Sequence, residues 1–199
     1  VRRDPAQDPR YAPALEGRGR VRMAAGDFGG AMECFNEALA ADPKLWQVHA
    51  LKGYLYDRRR DYDAAIAEYE KGIAVNGKSG MLFNNLGMSL YLKKDYSKAI
   101  DAYVKAVRID SANRRVFNNL GLALFKVGRY DEALQAFRQG GDEAAAYNNM
   151  GCLYLAEKKH PEAKAAFEKA ISLKPSYFAR ARENLKKTEA AIVSAPATP

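Results

Sequence analysis

The chain has 199 residues, 48% of them hydrophobic and 28% charged, with a formal net charge of +8. That is enough apolar side chain for a sizeable core, yet no apolar run approaches the roughly 20 residues that span a bilayer. The positive balance favours acidic partners, but Arg2-Arg3, Arg58-Arg59-Arg60 and Arg114-Arg115 are short clusters without interleaved aromatics, which argues against a nucleic-acid stacking platform.

Cys34 and Cys152 stand far apart with no CxxC or Cys/His cluster, so neither a disulfide framework nor a zinc site is indicated, and two free, half-buried thiols are expected. The first residue is Val1, so a targeting signal or lipidated cysteine upstream would lie outside the sequence. Membrane attachment is expected only through such an anchor, and localisation, in the cytoplasm or a bacterial periplasm or envelope, is left open.

Residues 1–11, with two prolines and several charges, read as a flexible leader. Glycines then recur in register at Gly19, Gly53, Gly87, Gly121 and Gly151, a period of 34 that drops to 30 at the last step. Twelve residues after each stands an alanine (Ala31, Ala65, Ala99, Ala133, Ala163), and four further on an aromatic (Phe35, Tyr69, Tyr103, Phe137, Phe167). A small residue follows three later. Within each unit the apolar positions fall at helical spacing, as in Phe83, Leu86 and Leu90 and again in Ala99, Tyr103 and Ala106, which predicts two helices per unit. Gly and Ala let the paired backbones approach, and the aromatics fill the wedge between them. Turns are expected at Gly26-Asp27, Asp95 and Gly128, and breaks at Asp42-Pro43, Asn76-Gly77 and Lys174-Pro175.

Five units result: 12–45, 46–79, 80–113, 114–143 and 144–177. The fourth is four residues short, which should tighten its second helix. Phe178, Ala181, Leu185, Thr188 and Ile192 mark one side of a capping helix over 178–193, and 194–199 reads as a disordered tail. No helix pair of this kind buries its apolar face alone, so the units must stack into a solenoid.

This 34-residue pattern resembles the tetratricopeptide repeat, from 12 to 177. The resemblance implies an all-α, right-handed superhelical solenoid that binds proteins or peptides. Arg18, Arg22 and Lys52 depart from it, standing where an apolar residue is usual, so the N-terminal edge is expected to be partly exposed or to pack against something else.

Gly72-Ile-Ala-Val-Asn-Gly77-Lys78-Ser79 matches the phosphate-cradling loop pattern, but that loop needs a preceding strand and a helix is expected here, so a nucleotide site is rejected. His49 and His160 stand alone and are read as structural. The informative feature is the doubled asparagine of Asn84-Asn85, Asn118-Asn119 and Asn148-Asn149, because Asn is a poor helix former and three pairs share one register. Met81, Asn85, Met88 and Leu92 form one stripe, with Asn84, Met88 and Tyr91 beside it. The next unit gives Arg115, Asn119, Leu122 and Lys126, with Asn118, Leu122 and Phe125 beside them. These stripes lie opposite Phe83, Leu86 and Leu90 and are expected to line a concave groove, together with Tyr54, Arg58 and Cys152. Asparagine can pair with both N–H and C=O of an extended main chain, about one asparagine per three peptide residues.

Asn85, Asn119 and Asn149 also match the asparagine ladder of O-GlcNAc transferases, which in that family holds peptide backbone. The carboxylate clamp of chaperone-binding repeats is not reproduced, since Ala50 and Tyr54 stand at its first Lys and Asn. The expectation is a non-catalytic interaction scaffold, an assembly or adaptor factor without cofactor, metal or small-molecule substrate, binding an extended or helical segment of another protein or peptide, acidic or not, in its concave groove. The rivals are an appendage of a larger enzyme, glycosyltransferase-like, and an assembly lipoprotein, since YNNMGCLYL and FARARENL look similar to Tad-type pilus and envelope proteins.

Overall fold

The computed structural model describes residues 11–174 and 179–194; the expected leader up to residue 10, Pro175, Phe178 and the tail past 194 lie outside them. The described residues form eleven helices and no strand, in two compact units that divide after Asp110. The first unit holds α1 (Ala12–Ala24), α2 (Phe28–Ala41), α3 (Trp46–Arg58), α4 (Tyr62–Val75), α5 (Gly80–Leu92) and α6 (Tyr96–Ile109). The second holds α7 (Arg114–Lys126), α8 (Tyr130–Gly140), α9 (Glu143–Ala156), α10 (His160–Leu173) and α11 (Ala179–Ser194). Each odd helix from α1 to α9 packs on the helix after it, and within the units α2 meets α3, α4 meets α5, α8 meets α9 and α10 meets α11.

The register glycines explain the pairing. A Cβ at Gly53, Gly87, Gly121 or Gly151 would come within 2.6 or 2.7 Å of the ring of Tyr69, Tyr103, Phe137 or Phe167, so the ring of one helix lies directly on the backbone of its partner. Those rings are at most 1% exposed, and the alanines twelve after each glycine are fully buried. Burial of an aromatic this complete is worth roughly 1.5–3 kcal/mol per side chain.

The turns repeat as faithfully. Gly26, Arg60, Lys94, Gly128 and Lys158, each in the same register, all take positive φ between 59° and 83°. At the first three turns the next residue is an aspartate whose carboxylate caps the following helix, Asp27 accepting from Gly30 N, Asp61 from Ala64 N and Asp95 from Lys98 N. A left-handed conformation costs an L-residue about 1–2 kcal/mol, partly offset by the entropy that glycine loses. Arg60→Gly, Lys94→Gly and Lys158→Gly are therefore each expected to raise stability by up to about 1 kcal/mol, and Gly128→Ala to lower it by a similar amount. Urea midpoints check both signs, and a lower midpoint for the glycine variants would contradict the account.

The fourth pair is shortened where the sequence is: α8 has 11 residues, against 14 in α2, α4, α6 and α10. α11 buries Ala181 and Thr188 completely, with Leu185 packed into the cluster of Ala163 and Phe167, while Ile192 is 39% exposed. Cys34 differs from the expectation: it is buried in α2, at the position where later repeats carry Ala102 and Ala136, and only Cys152 is half-buried. Among the described residues no helix is long and apolar enough to cross a membrane.

The phosphate-loop lookalike is accounted for by packing. Gly72 lies inside α4, where a Cβ would meet Leu82 and His49, and Ser79 caps α5 by accepting from Leu82 N at 3.4 Å.

Candidate functional site

In the first unit a cleft of about 490 Å³ runs across α1, α3 and α5. Helix α3 supplies most of its wall, with Trp46, Gln47, Leu51 and Tyr54 at i, i+1, i+5 and i+8, all on one face. Met23 and Arg20 close one side from α1, and Met81 and Asn85 the other from α5. Tyr54 and Met81 are 44% and 49% exposed, so large apolar surface is open to solvent here. Arg20 is held by two hydrogen bonds to Glu16, at 2.7 and 2.9 Å. Arg58 lies 4.5 Å from the centre of the Phe28 ring and donates to Tyr54 Oη at 3.4 Å, which fixes the tyrosine at the end of the cleft.

In the second unit a cleft of about 280 Å³ lies between α7 and α9, lined by Asn118, Leu122, Asn149, Cys152 and Leu153 over Phe137. The thiol of Cys152 is 3.6 Å from Asn184 Nδ2 of α11.

The remaining expected site residues are distributed as follows. Asn84, half-buried, donates to Asn85 Oδ1 at 3.4 Å. Met88 and Asn119 are half-buried and Arg115 is exposed. Tyr91 packs its ring 5.3 Å from Tyr96 at the turn of its own pair. Lys126 reaches Glu157 at 3.0 Å. Asn148 keeps a buried Oδ1 with no hydrogen-bond partner. Phe125, expected on the open stripe, is instead 1% exposed, its ring 5.0 Å from both Tyr130 and Tyr154; the two tyrosines close over it.

Trp46, Gln47, Leu51, Met23 and Arg20 were not anticipated, and the period contains the signal that would have found all of them but Trp46. Leu51 stands one period before Asn85, Gln47 before Met81, and Arg20 before Tyr54. Extending the stripes upstream by 34 residues marks Gln47, Ala50, Leu51 and Tyr54, and by a second 34 marks Arg20 and Met23.

Two polar networks stabilise α3 from behind. Asp57 accepts from Tyr69 Oη of α4 at 2.8 Å and from Ser89 Oγ of α5 at 2.7 Å. Burial pushes its carboxyl up, and the two hydroxyls only partly offset that. Glu68, 5% exposed, accepts from His49 Nδ1 at 2.8 Å and Lys71 Nζ at 2.9 Å, with Lys52 Nζ at 3.3 Å. Burial acts to raise this carboxyl too, but His49, Lys71 and Lys52 together hold it below the usual range. Lys52 is therefore partnered rather than left at an open edge, and Arg18 and Arg22 form exposed pairs with Glu37 and Asp27.

Comparison with known proteins matches this architecture. Family models described as tetratricopeptide repeat match residues 12–45, 47–79 and 144–177, and one described as TPR repeat matches 87–128. Among solved structures, MamA is 24% identical, with 85% of this chain and 96% of that one covered and a TM-score of 0.67. YrrB, described as a TPR protein with an unusual peptide-binding site, is 22% identical over 91% of this chain and 94% of that one, with a TM-score of 0.71. PilF of Pseudomonas aeruginosa is 20% identical over 92% and 83%, with a TM-score of 0.66. At these identities the likeness is one of fold. No curated protein sequence matches. Four tandem family matches, falling on helix pairs built around one glycine–aromatic contact, place the chain in the tetratricopeptide repeat family.

Proposed function

We propose that the chain is a non-catalytic protein-interaction module and that the cleft across α1, α3 and α5 binds an extended peptide. The observation that carries this reading is the combination, on one open face, of Trp46, Tyr54 and Met81 with the amides of Gln47 and Asn85. The apolar side chains offer pockets for bulky anchors. The amides offer donors and acceptors to a peptide main chain, whose groups must be paired when they are desolvated. Amide and apolar groups bind; they do not move protons at neutral pH. Arg58, Arg59 and Arg60 at the exposed end of α3 favour a ligand with acidic residues at that end. The cleft between α7 and α9, with Asn149 and Cys152, is the corresponding surface of the second unit.

Trp46 is the one tryptophan of the sequence, so the cleft carries its own reporter. Twelve-residue peptides selected on the protein from a phage-displayed library are expected to change Trp46 emission on titration. Asn85→Ala and Tyr54→Ala should each weaken them about tenfold or more, as loss of a paired amide or an aromatic anchor costs about 1–3 kcal/mol. Selected peptides that bind both variants like the parent, without altering Trp46 emission, would overturn the assignment of this cleft.

A further inference from the structure

A second cleft in the second unit has a different chemistry. It measures about 310 Å³ and lies between α8, α9 and α10, walled by Tyr130, Tyr147 and Tyr154 over Met150 and Leu134. It lies on a face of α9 other than that of Asn149 and Cys152: Tyr147, Met150 and Tyr154 follow at i, i+3 and i+7, one helical stripe about 140° around the axis from the other. Tyr130 and Tyr154 stand with ring centres 5.4 Å apart, both braced from behind by Phe125.

Two carboxylates, Asp131 and Glu162, line the same cleft. Both are exposed, and among the described residues neither has a hydrogen bond or an ion pair. The cations that touch the tyrosines, Lys159 donating to Tyr130 Oη and Arg138 to Tyr147 Oη, each also pair with a carboxylate that does not line the cleft. Lys159, 4.7 Å from the Tyr130 ring centre, pairs with Glu157 at 3.3 Å; Arg138, 5.7 Å from the Tyr147 ring centre, pairs with Glu143 at 2.6 Å. The Tyr154 hydroxyl is pushed up first by burial and then by Tyr130; Lys159 acts against them, and Glu162 and Asp131 add smaller pushes upward.

The first unit contains the same cleft in the same register, as an internal control. There Phe83, Leu86, Leu90 and Lys98 stand where Tyr147, Met150, Tyr154 and Glu162 stand here, around about 200 Å³. Helix stacking makes the hollow in both places; the first-unit cleft carries Glu70 and Asp101 beside Lys98 and Lys105, whereas the second-unit cleft is lined by tyrosines with Asp131 and Glu162 and has no lysine or arginine in its wall.

We propose that this tyrosine cleft is a binding site separate from the peptide cleft, and that it takes an arginine side chain of a partner protein, the guanidinium stacking on tyrosine and pairing with Glu162 and Asp131. Arginine fits better than lysine because its planar fork satisfies flat rings and carboxylates together, where an ammonium is a point charge. In a chain of net charge +8, carboxylates over tyrosine walls with no basic side chain in the lining are what selects a basic residue.

The test is a nitrogen-15 chemical-shift titration of the whole chain with acetyl-Leu-Arg-Leu-amide and with its citrulline and lysine counterparts. Citrulline keeps the shape and removes the charge. The arginine peptide is expected to bind in the millimolar range or tighter, with shifts concentrated in α8, α9 and α10, and the citrulline peptide at least fivefold more weakly. Asp131→Asn with Glu162→Gln should cost the arginine peptide at least fivefold, and Tyr154→Leu, which installs the residue of the control cleft, at least threefold. Folding of each variant is read from the same spectra. Equal binding of arginine and citrulline peptides, undiminished binding by the carboxylate variant, shifts centred on α7, or no binding would each overturn the proposal. Equal binding of the lysine peptide would overturn the choice of arginine.

Discussion

Phe137→Ala is expected to destabilise the second unit by about 3–5 kcal/mol, the usual cost of emptying a fully buried aromatic site. Phe137 is 1% exposed, and its ring carbons lie 2.7–2.9 Å from where a Cβ on Gly121 would sit. Gly121→Ala creates the opposite fault, an overpacked contact between α7 and α8, at about 1–3 kcal/mol. The two faults occupy the same space, so they should not add. In the double variant the new methyl enters the volume that the ring leaves, and the combined loss should fall short of the sum by about 1 kcal/mol or more. Urea unfolding of the parent, both single variants and the double closes the cycle. A strictly additive result would mean that ring and glycine do not form the contact on which the helix pair is built. The same cycle on Gly87 and Tyr103 of the first unit, where the Cβ position is 2.7 Å from the ring, should give the same sign.

That contact is also why the fold was legible in the sequence. A ring seated on a backbone admits only glycine opposite, so each pair leaves a glycine and an aromatic at fixed separation, and repetition makes the pattern unmistakable. What one column of the pattern could not reveal was pairing between columns. Lys52 reads as a departure from an apolar position, yet its structural meaning lies in Glu68 and His49. In the next repeat the three corresponding positions are Leu86, Ala102 and Phe83. An apolar triad has been exchanged as a group for a polar one, and only the facing of α3 and α4 shows that the three exchanges are one.

The candidate site was legible in outline only. Adjacent helical residues point about 100° apart, so a doubled asparagine offers a ligand one amide and directs the other elsewhere. Asn85 and Asn149 line clefts, whereas Asn84 donates to its neighbour and Asn148 has its oxygen buried. Phe125 was misplaced because helical spacing counts its own stripe and cannot see Tyr130 and Tyr154 arriving from other helices. The turns show the same limit. Gly26 and Gly128 announce a left-handed residue, but Arg60, Lys94 and Lys158 adopt it without any sequence signal, because the surrounding helix pair imposes it.

Asp57→Ala is expected to be the most damaging polar substitution in the first unit. It would strand the hydroxyl of Tyr69, at about 1–3 kcal/mol when left unpaired in a buried site, while Ser89 falls back on the Asn85 carbonyl oxygen, for a loss of about 1–3 kcal/mol. It should also weaken the peptides selected on the cleft, because Asp57 ties α3, which carries Trp46 and Tyr54, to α5, which carries Asn85. Asp57→Asn should differ. Its amide can donate to Ser89 Oγ while Ser89 donates to the Asn85 carbonyl oxygen 3.2 Å away, and its own oxygen still accepts from Tyr69. The pH dependence separates the two states of the parent. Burial raises the Asp57 carboxyl, so the folded chain holds this proton more tightly than the unfolded one. Its contribution to stability is therefore fully present below the ordinary carboxylate value of 3.8 and declines as pH rises through the raised one, the reverse of Glu68, whose contribution is lost as pH falls. Subtracting the urea stability of Asp57→Asn from that of the parent removes the Glu68 component, which both share. The difference should shift in favour of the parent as the pH is lowered from 7 to 4. A difference that stays flat across that range would show that Asp57 titrates like an exposed aspartate, and a peptide affinity unchanged in Asp57→Ala would show that α3 and α5 hold the cleft without it.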